Sequence, residues 1–442
     1  MLVSFRVKNF KSIVDATLDL RYGEGKAPNG YAEMDRMPFL QADVGENAPK
    51  NTRPLRVVPV LAIYGQNAGG KSTMVEALRT FWEFVCGFNA RAERGLLPFH
   101  PNVLHPELIE TEYTIESSVG GELFRYTLAH RNHAVAQEEL WHGNSCLYRI
   151  DYEQKVVELE QIATEAYPSE RIRSVLIVEC TTPDGLQRCP LLTKLGTNYG
   201  GLRWEIFSMF EDLMGLSILL DNHIRPEMGL QMLSNDIKDG SVDAAFREIA
   251  SYMTKLDIGI ARMELSPEAR EVENADVHDK EFSSVEDDGV GVLFNSAADM
   301  IYTYHRRTDG ELVPLRLRDE SRGSQVLFGL LGVLLAALHS GGTVVIDELD
   351  RSIHPLVLKS LVSLFTDRTY NKHNAQLIFT AHNTELLDGD ELRLSEVGIV
   401  TKTAQDGTQL RRLCDFEGVR NVKNFRLGYL DGYFSGIPFP SI

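Results

Sequence analysis

Residues 65 to 72 read Gly65-Gln66-Asn67-Ala68-Gly69-Gly70-Lys71-Ser72, the spacing GxxxxGK[ST]. The apolar run Val57-Val58-Pro59-Val60-Leu61-Ala62-Ile63-Tyr64 precedes it, and Thr73-Met74-Val75-Glu76-Ala77-Leu78 follows at helical spacing. A strand, a glycine turn and a helix N-terminus form the context in which this pattern cradles phosphate. Gly65, Gly69 and Gly70 let backbone N–H groups close around phosphate oxygens where side chains would crowd the turn. The helix opening near Lys71 adds its positive end. In such a loop the lysine, here Lys71, reaches the β- and γ-phosphates of a nucleoside triphosphate, and the hydroxyl of Ser72 ligates Mg²⁺. Gln66, Asn67, Ala68 and Thr73 complete the stretch predicted to line the nucleotide.

Two later segments fit the same chemistry. Thr343-Val344-Val345-Ile346-Asp347-Glu348 is a short apolar strand ending in two carboxylates. Asp347 is placed to hold Mg²⁺ through water, and Glu348 to polarise an attacking water as general base. A strand ending in Asp-Glu is common alone; the upstream glycine loop gives this one its weight. Leu377-Ile378-Phe379-Thr380-Ala381-His382 again sets a polar residue at a strand end, and His382 is expected to hydrogen-bond the γ-phosphate or the attacking water. Lys71, Glu348 and His382 are thus the candidate catalytic residues. His354, before Pro355, reads as a local structural residue. No HExxH and no close Cys/His set points to a metal hydrolase.

The chain has 442 residues, 43% of them hydrophobic, enough for a substantial core. Leu2 to Phe10 reads as a strand with Ala16 to Leu20 as its hairpin partner. Residues 21 to 56, rich in Gly, Pro and Asn, read as a long loop. Short strands are predicted at Glu112–Ser117, Leu123–His130, Glu138–Trp141 and Cys146–Ile150, followed by helical spacing over 152 to 285. Glu271 to Asp288 reads as an acidic exposed loop. Without a long heptad run, no coiled-coil arm is expected. After residue 310, helices at 325–337 and 356–366 alternate with strands at 343–346 and 375–380, as in a sheet covered by helices. The reading divides the chain into 1–90, the first part of an ATPase core; 91–150, an antiparallel β subdomain; 151–314, an inserted mainly helical region; and 315–442, the second part of the core.

The formal net charge is -18, which argues against a broadly basic binder of nucleic acid while leaving local DNA or RNA contact open. Arg411, Arg412, Arg420, Lys423 and Arg426 form one positive cluster, with a solvated face as its simpler reading. The five cysteines, Cys86, Cys146, Cys180, Cys189 and Cys414, form no CxxC pair and suit a reducing compartment. The N-terminus carries no secretory pattern. The apolar stretch Val326 to Leu338 is shorter than the roughly 20 residues a span needs. A cytoplasmic protein without membrane contact is expected.

The three motifs, in this order, resemble the ABC-type ATPases of the SMC and RecF kind. The resemblance is nearest to stand-alone AAA family ATPases related to OLD-family and to abortive-infection and restriction-linked anti-phage ATPases. It implies an α/β fold: an ABC-type P-loop ATPase head with a mixed sheet, an added antiparallel β region and an inserted helical region. Phe5 to Ser12 is similar to the family's first strand, whose Lys8, Lys11 and Ser12 would approach the sugar and base. Leu349 to Ser352 is similar to the D-loop, and His382 to the switch histidine. Glu320-Ser321-Arg322-Gly323-Ser324-Gln325 is similar to a shortened signature motif that departs from LSGGQ. By resemblance, Ser321 and Gly323 would contact the γ-phosphate held by a second protomer. Gln137 is a candidate for the glutamine loop. The tail from Asp415 to Arg420 and from Tyr429 to Pro438 resembles that of the restriction-linked members, and the Toprim nuclease domain of OLD nucleases is not expected before Ile442.

The resemblance therefore implies an ATP- and Mg²⁺-dependent ATPase acting as a homodimeric or larger switch. It would control a separate effector such as a nuclease, in anti-phage defence. The alternatives are a DNA-repair ATPase, favoured by ATP-dependent binding to DNA ends, and a scaffold that binds ATP with little turnover.

Overall fold

The structure, a computed structural model, describes residues 1–22, 40–42, 55–86, 98–131, 134–154, 156–158, 189–193, 204–219, 224–237, 241–256, 259–266, 297–388 and 391–437. It divides into two compact units. The first comprises Met1–Ile218, Val345–Asp347 and Gln376–Ile442; the second comprises Leu219–Val344 and Glu348–Ala375. The acidic expectation at Glu271 to Asp288 and most of the loop at 21 to 56 lie outside the described residues.

The strands, in chain order, are β1 Leu2–Phe10, β2 Ile13–Asp19, β3 Leu40–Ala42, β4 Leu55–Val57, β5 Val60–Gly65, β6 Thr111–Val119, β7 Glu122–Arg131, β8 Ala134–His142, β9 Ser145–Asp151, β10 Val156–Glu158, β11 Leu216–Leu219, β12 Arg262–Leu265, β13 Ile301–Arg306, β14 Leu312–Arg316, β15 Thr343–Ile346, β16 Gln376–Thr380, β17 Val397–Thr403 and β18 Gly407–Arg412. The helices are α1 Lys71–Val85, α2 Trp204–Met214, α3 Pro226–Asp236, α4 Val242–Lys255, α5 Ala297–Met300, α6 Arg322–Ser340, α7 Pro355–Thr366 and α8 Phe425–Leu430.

A thirteen-stranded sheet runs in the order β10-β9-β8-β7-β6-β1-β2-β18-β17-β5-β16-β15-β11. Its centre is parallel: β16 and β17 flank β5 and both run with it. Every residue of β5 is buried, the mark of a strand covered on both faces and written as a continuous apolar run. From β17 outward the pairing becomes antiparallel. β18 returns beside β17 and meets β2 at Gly407 opposite Ile13. The hairpin expected at the N-terminus is present as β1 and β2, with Ser4 opposite Asp19 and Phe10 opposite Ile13. The four short strands expected after residue 110 are β6 to β9. They extend the same sheet through the β1–β6 pairing.

Helix α1 is the inner element of the first unit. Met74, Leu78, Phe81 and Val85 recur at helical spacing on its buried face. The Phe81 ring lies 5.7 Å from those of Phe5 and Tyr113 and 6.0 Å from that of Tyr126, so α1 packs on β1, β6 and β7 through aromatic rings.

In the second unit, α6 is buried along Leu327 to Leu338 and crosses α3 at closest backbone range. A Cβ added to Gly329 would lie 2.7 Å from the carbonyl carbon of Arg225, and one on Gly229 would lie 2.8 Å from that of Gly329. Only glycine permits that crossing. By length and composition α6 is apolar enough to cross a membrane; its apolar residues are packed inside the unit. The stretch expected to be mainly helical also carries an antiparallel sheet, β12-β13-β14. The cause is visible in Ile301-Tyr302-Thr303-Tyr304, β-branched and aromatic residues that suit a pleated surface.

Candidate phosphate-binding site

The glycine loop joins β5 to α1. Gly70 is the N-cap of α1, with φ of 109°, and a Cβ there would lie 2.9 Å from Cβ of Thr408. At Gly65 a Cβ would sit 2.6 Å from the carbonyl oxygen of Val400 on the neighbouring β17. The two glycines thus solve different problems, a left-handed backbone at the helix start and close strand packing at the loop start. Gly69 N–H closes the turn on Gln66 O at 3.0 Å. Asn67, Ala68 and Ser72 are exposed, Gln66 and Thr73 half-buried. Lys71 is 5% exposed, and its Nζ donates to Gly65 O at 2.7 Å and Gln66 O at 3.4 Å. Its ammonium therefore lies inside the loop, where a phosphate-reading lysine must be. The conformation and the exposed Ser72 hydroxyl fit a triphosphate with its magnesium.

The other half of the site comes from strand ends. β16 runs beside β5 with Thr380 opposite Ile63, and Ala381 N–H donates to Ile63 O at 3.0 Å. His382, exposed, follows at the level where the glycine loop begins. β15 is the next strand beyond β16, and Asp347 follows its last residue. Thr380 Oγ1 donates to Asp347 Oδ1 at 2.5 Å, with Thr380 fully buried and Asp347 7% exposed. Gly65, Thr380-His382 and Asp347 are thereby gathered at the carboxyl edge of the strands, where open α/β sheets bind ligands. A carboxylate fixed by a hydroxyl at this edge is the donor type that divalent magnesium takes.

Glu348 follows Asp347 and opens the second unit's later segment. It is held at φ 53°, the left-handed region that non-glycine residues enter at a cost of about 1–3 kcal/mol. Its Oε2 accepts from Arg351 Nη1 at 3.3 Å. Within the same unit, Ser321 is the N-cap of α6, its Oγ accepting from Ser324 N–H at 3.1 Å. A Cβ on Gly323 would lie 2.9 Å from the carbonyl oxygen of Ser352, itself at φ 63°. The segment similar to a signature and the segment similar to a D-loop therefore touch. Ser321 is exposed at the start of a long helix, with the helix's positive end behind it. His354 caps α7, its Nδ1 accepting from Leu356 N–H at 3.2 Å, which is the structural role expected of it.

The first-strand residues are engaged within the protein. Lys8 pairs with Glu112 at 2.6 Å, and Lys11 forms an ion pair with Glu76 of α1. The Ser12 hydroxyl meets Thr408 Oγ1 at 2.8 Å. Gln137 is a correction. It stands on β8, seven strands along the sheet from β5, and its amide donates to Asp151 Oδ2 at 3.0 Å. An antiparallel strand so far from the glycine loop along the ladder does not supply a glutamine to it. In the C-terminal basic cluster, Arg412 pairs with Asp19 and Asp415, and Arg426 with Asp388 and Glu385. These pairs offset the charge of two of the cluster's five cations. Thr408 was not signalled by the sequence; a lone threonine after a turn glycine carries no pattern.

Residues 217–388 match the profile of a family described as "AAA domain, putative AbiEii toxin, Type IV TA system". The matched stretch contains Ser321, Gly323, Asp347, Glu348 and His382, and it is similar to AAA-type ATPase domains. Among solved structures, an SMC head bound to the C-terminal winged-helix domain of ScpA aligns at 13% identity over 93% of this chain and 97% of its own, with a TM-score of 0.43. The SMC head domain from Thermotoga maritima aligns at 13% identity over 93% and 98%, with a TM-score of 0.40. A third, an SMC head with an extended coiled coil bound to the C-terminal domain of ScpA derived from Pyrococcus furiosus, aligns at 13% over 93% and 95%, with a TM-score of 0.39. No curated protein matches the sequence.

Proposed function

We propose that the protein is an ATP-hydrolysing switch. The observation that carries this reading is the hydrogen bond from Thr380 to Asp347, which fixes a carboxylate at the sheet edge where the glycine loop opens. ATP is the substrate. Its phosphates lie against the N–H groups of Gly65 to Thr73 and the ammonium of Lys71. Ser72 and Asp347 would hold a Mg²⁺, which would supply positive charge against that of the phosphates. Glu348 accepts a proton from the attacking water, and His382 donates to the γ-phosphate oxygens.

Two copies of the chain complete the site. Ser321 and Gly323, at the exposed N-terminus of α6, meet the γ-phosphate held by the other copy. ATP binds the closed pair better than the open one, so binding closes the pair and hydrolysis releases it. The similarity of 217–388 to a family described as a putative toxin of a Type IV toxin–antitoxin system supports a defence setting. In that setting the cycle controls a separate effector, such as a nuclease.

The test is ATP turnover and self-association of the purified chain with Lys71→Ala, Glu348→Gln and Ser321→Ala variants. Lys71→Ala is expected to lose ATP binding. Glu348→Gln is expected to bind ATP, accumulate as dimer and turn over about 10²–10⁴-fold more slowly. Ser321→Ala is expected to bind ATP as monomer and fail to dimerise. Unchanged turnover in both Lys71→Ala and Glu348→Gln would refute the reading.

A further inference from the structure

Strand β18 opens with Gly407-Thr408, a pair outside every motif above. Thr408 is nevertheless fully buried, and it lies against the glycine loop from a position 339 residues along the chain. Its Oγ1 donates to the carbonyl oxygen of Gly69 at 3.1 Å. The same Oγ1 is 2.8 Å from Ser12 Oγ. A threonine hydroxyl has one proton, and a carbonyl only accepts, so Ser12 must be the donor in the second contact. The result is a directed chain, from Ser12 Oγ–H to Thr408 Oγ1–H to the Gly69 carbonyl.

The backbone fixes this chain in place. Thr408 N–H donates to Ser12 O at 2.8 Å, tying the start of β18 to the β1–β2 turn. Gly407, at φ 63°, allows that approach; a Cβ there would lie 2.5 Å from Ser12 O.

The consequence for the loop follows from the planarity of the peptide bond. The Gly69 carbonyl and the Gly70 N–H belong to one plane and point in opposite directions. Holding the carbonyl on Thr408 turns the Gly70 N–H away from Thr408. Gly70 itself has no room for a side chain because Thr408 occupies the space.

The geometry points to Thr408 as a positioning residue for the phosphate loop, with Ser12 as the donor behind it. Together they preset the Gly69–Gly70 peptide so that its N–H meets a phosphate oxygen. The role differs from the nucleotide contact that resemblance implied for Ser12, and it rests on the ATP-binding reading above. Donors aligned in advance need not reorganise when the phosphate arrives, and the loss of one buried partner leaves the Gly69 carbonyl unpaired.

The experiment is calorimetric titration of the full chain with a nonhydrolysable ATP analogue and Mg²⁺, beside the melting temperature without nucleotide. Thr408→Val keeps the shape and removes the hydroxyl; its Kd is expected to rise about tenfold. Thr408→Ser keeps the hydroxyl and is expected to bind within about twofold of the parent, a rescue that a pure packing role would not give. Ser12→Ala is expected to weaken binding by about threefold, since it removes only the outer link of the chain. Parent-like binding by Thr408→Val, or an equal loss in Thr408→Ser, overturns the proposal. If Thr408→Val does not fold, Ser12→Ala decides: weakened binding with an unchanged melting temperature supports the proposal, and unchanged binding overturns it. A parent chain that binds no analogue overturns the functional reading and this proposal with it, whereas a binding parent with unaffected variants overturns the proposal alone.

Discussion

Replacing Thr380 with valine removes the hydroxyl that Asp347 accepts from, at almost constant side-chain volume. Thr380 is fully buried and Asp347 nearly so, which leaves the carboxylate little water to turn to. Losing a 2.5 Å hydrogen bond between two buried groups leaves the remaining partner unsatisfied and costs about 1.5–3 kcal/mol. For a unit of this size each kcal/mol shifts the midpoint by about 2–4 °C, so Thr380→Val is expected to melt about 3–12 °C below the parent. The released carboxylate also loses its fixed direction. The Mg²⁺ concentration needed for half-maximal ATP turnover is therefore expected to rise, while Thr380→Ser stays near the parent on both scales. Differential scanning calorimetry and a Mg²⁺ titration of turnover make the two measurements. A Thr380→Val protein with parent-like melting and parent-like Mg²⁺ dependence would refute the reasoning that this contact holds Asp347 in place.

Other predictions concern the second unit and the buried acids. Gly329→Ala puts a Cβ against the Arg225 carbonyl and should cost about 1–3 kcal/mol in urea unfolding, by forcing α3 and α6 apart. Burial pushes the Glu396 carboxyl up to about 7, against the pull of the nearby Arg393 guanidinium and backbone N–H. The folded state then holds a proton that the unfolded chain releases near pH 4.5. Stability should fall as pH rises from about 4.5 to about 7, by up to about 3 kcal/mol, and Glu396→Gln should flatten that slope. Fully buried Glu138 accepts from Tyr126, Tyr148 and the N–H groups of Leu191 and Leu192, and burial raises its pKa. Glu138→Leu leaves those four donors unpaired and should destabilise the chain by more than about 3 kcal/mol, measured by chemical denaturation.

The sequence was readable where local chemistry repeats a period or a fixed spacing. Gly65 to Ser72 declares both a strand end and a helix start. The strands after residue 110 alternate well enough to be found one by one. Pairing across long separations was not readable. Nothing local says that β18 and β17 enter the sheet between β2 and β5, because the register is set by contacts such as Gly407 with Ile13, almost the whole chain apart. Gly229, Gly329 and Gly332 look like weak helix positions by propensity, and their purpose appears only when α3 and α6 cross. Asp347 was legible as a carboxylate after a strand, whereas its partner Thr380 became meaningful only once β16 lay beside β15. Ser12 illustrates the same limit from the other side: resemblance directed it toward the nucleotide, and the hydrogen bonds direct it to Thr408.

The central claim is that the glycine loop and Asp347 hold one magnesium-bound triphosphate between them. A crystal structure of the chain soaked with a nonhydrolysable ATP analogue and Mg²⁺ tests it most directly. The account predicts phosphate density against the N–H groups of Gly69 to Ser72, with the metal between the Ser72 hydroxyl and Asp347. Nucleotide bound elsewhere, with Lys71 still donating to the Gly65 carbonyl and no metal near Asp347, would contradict it.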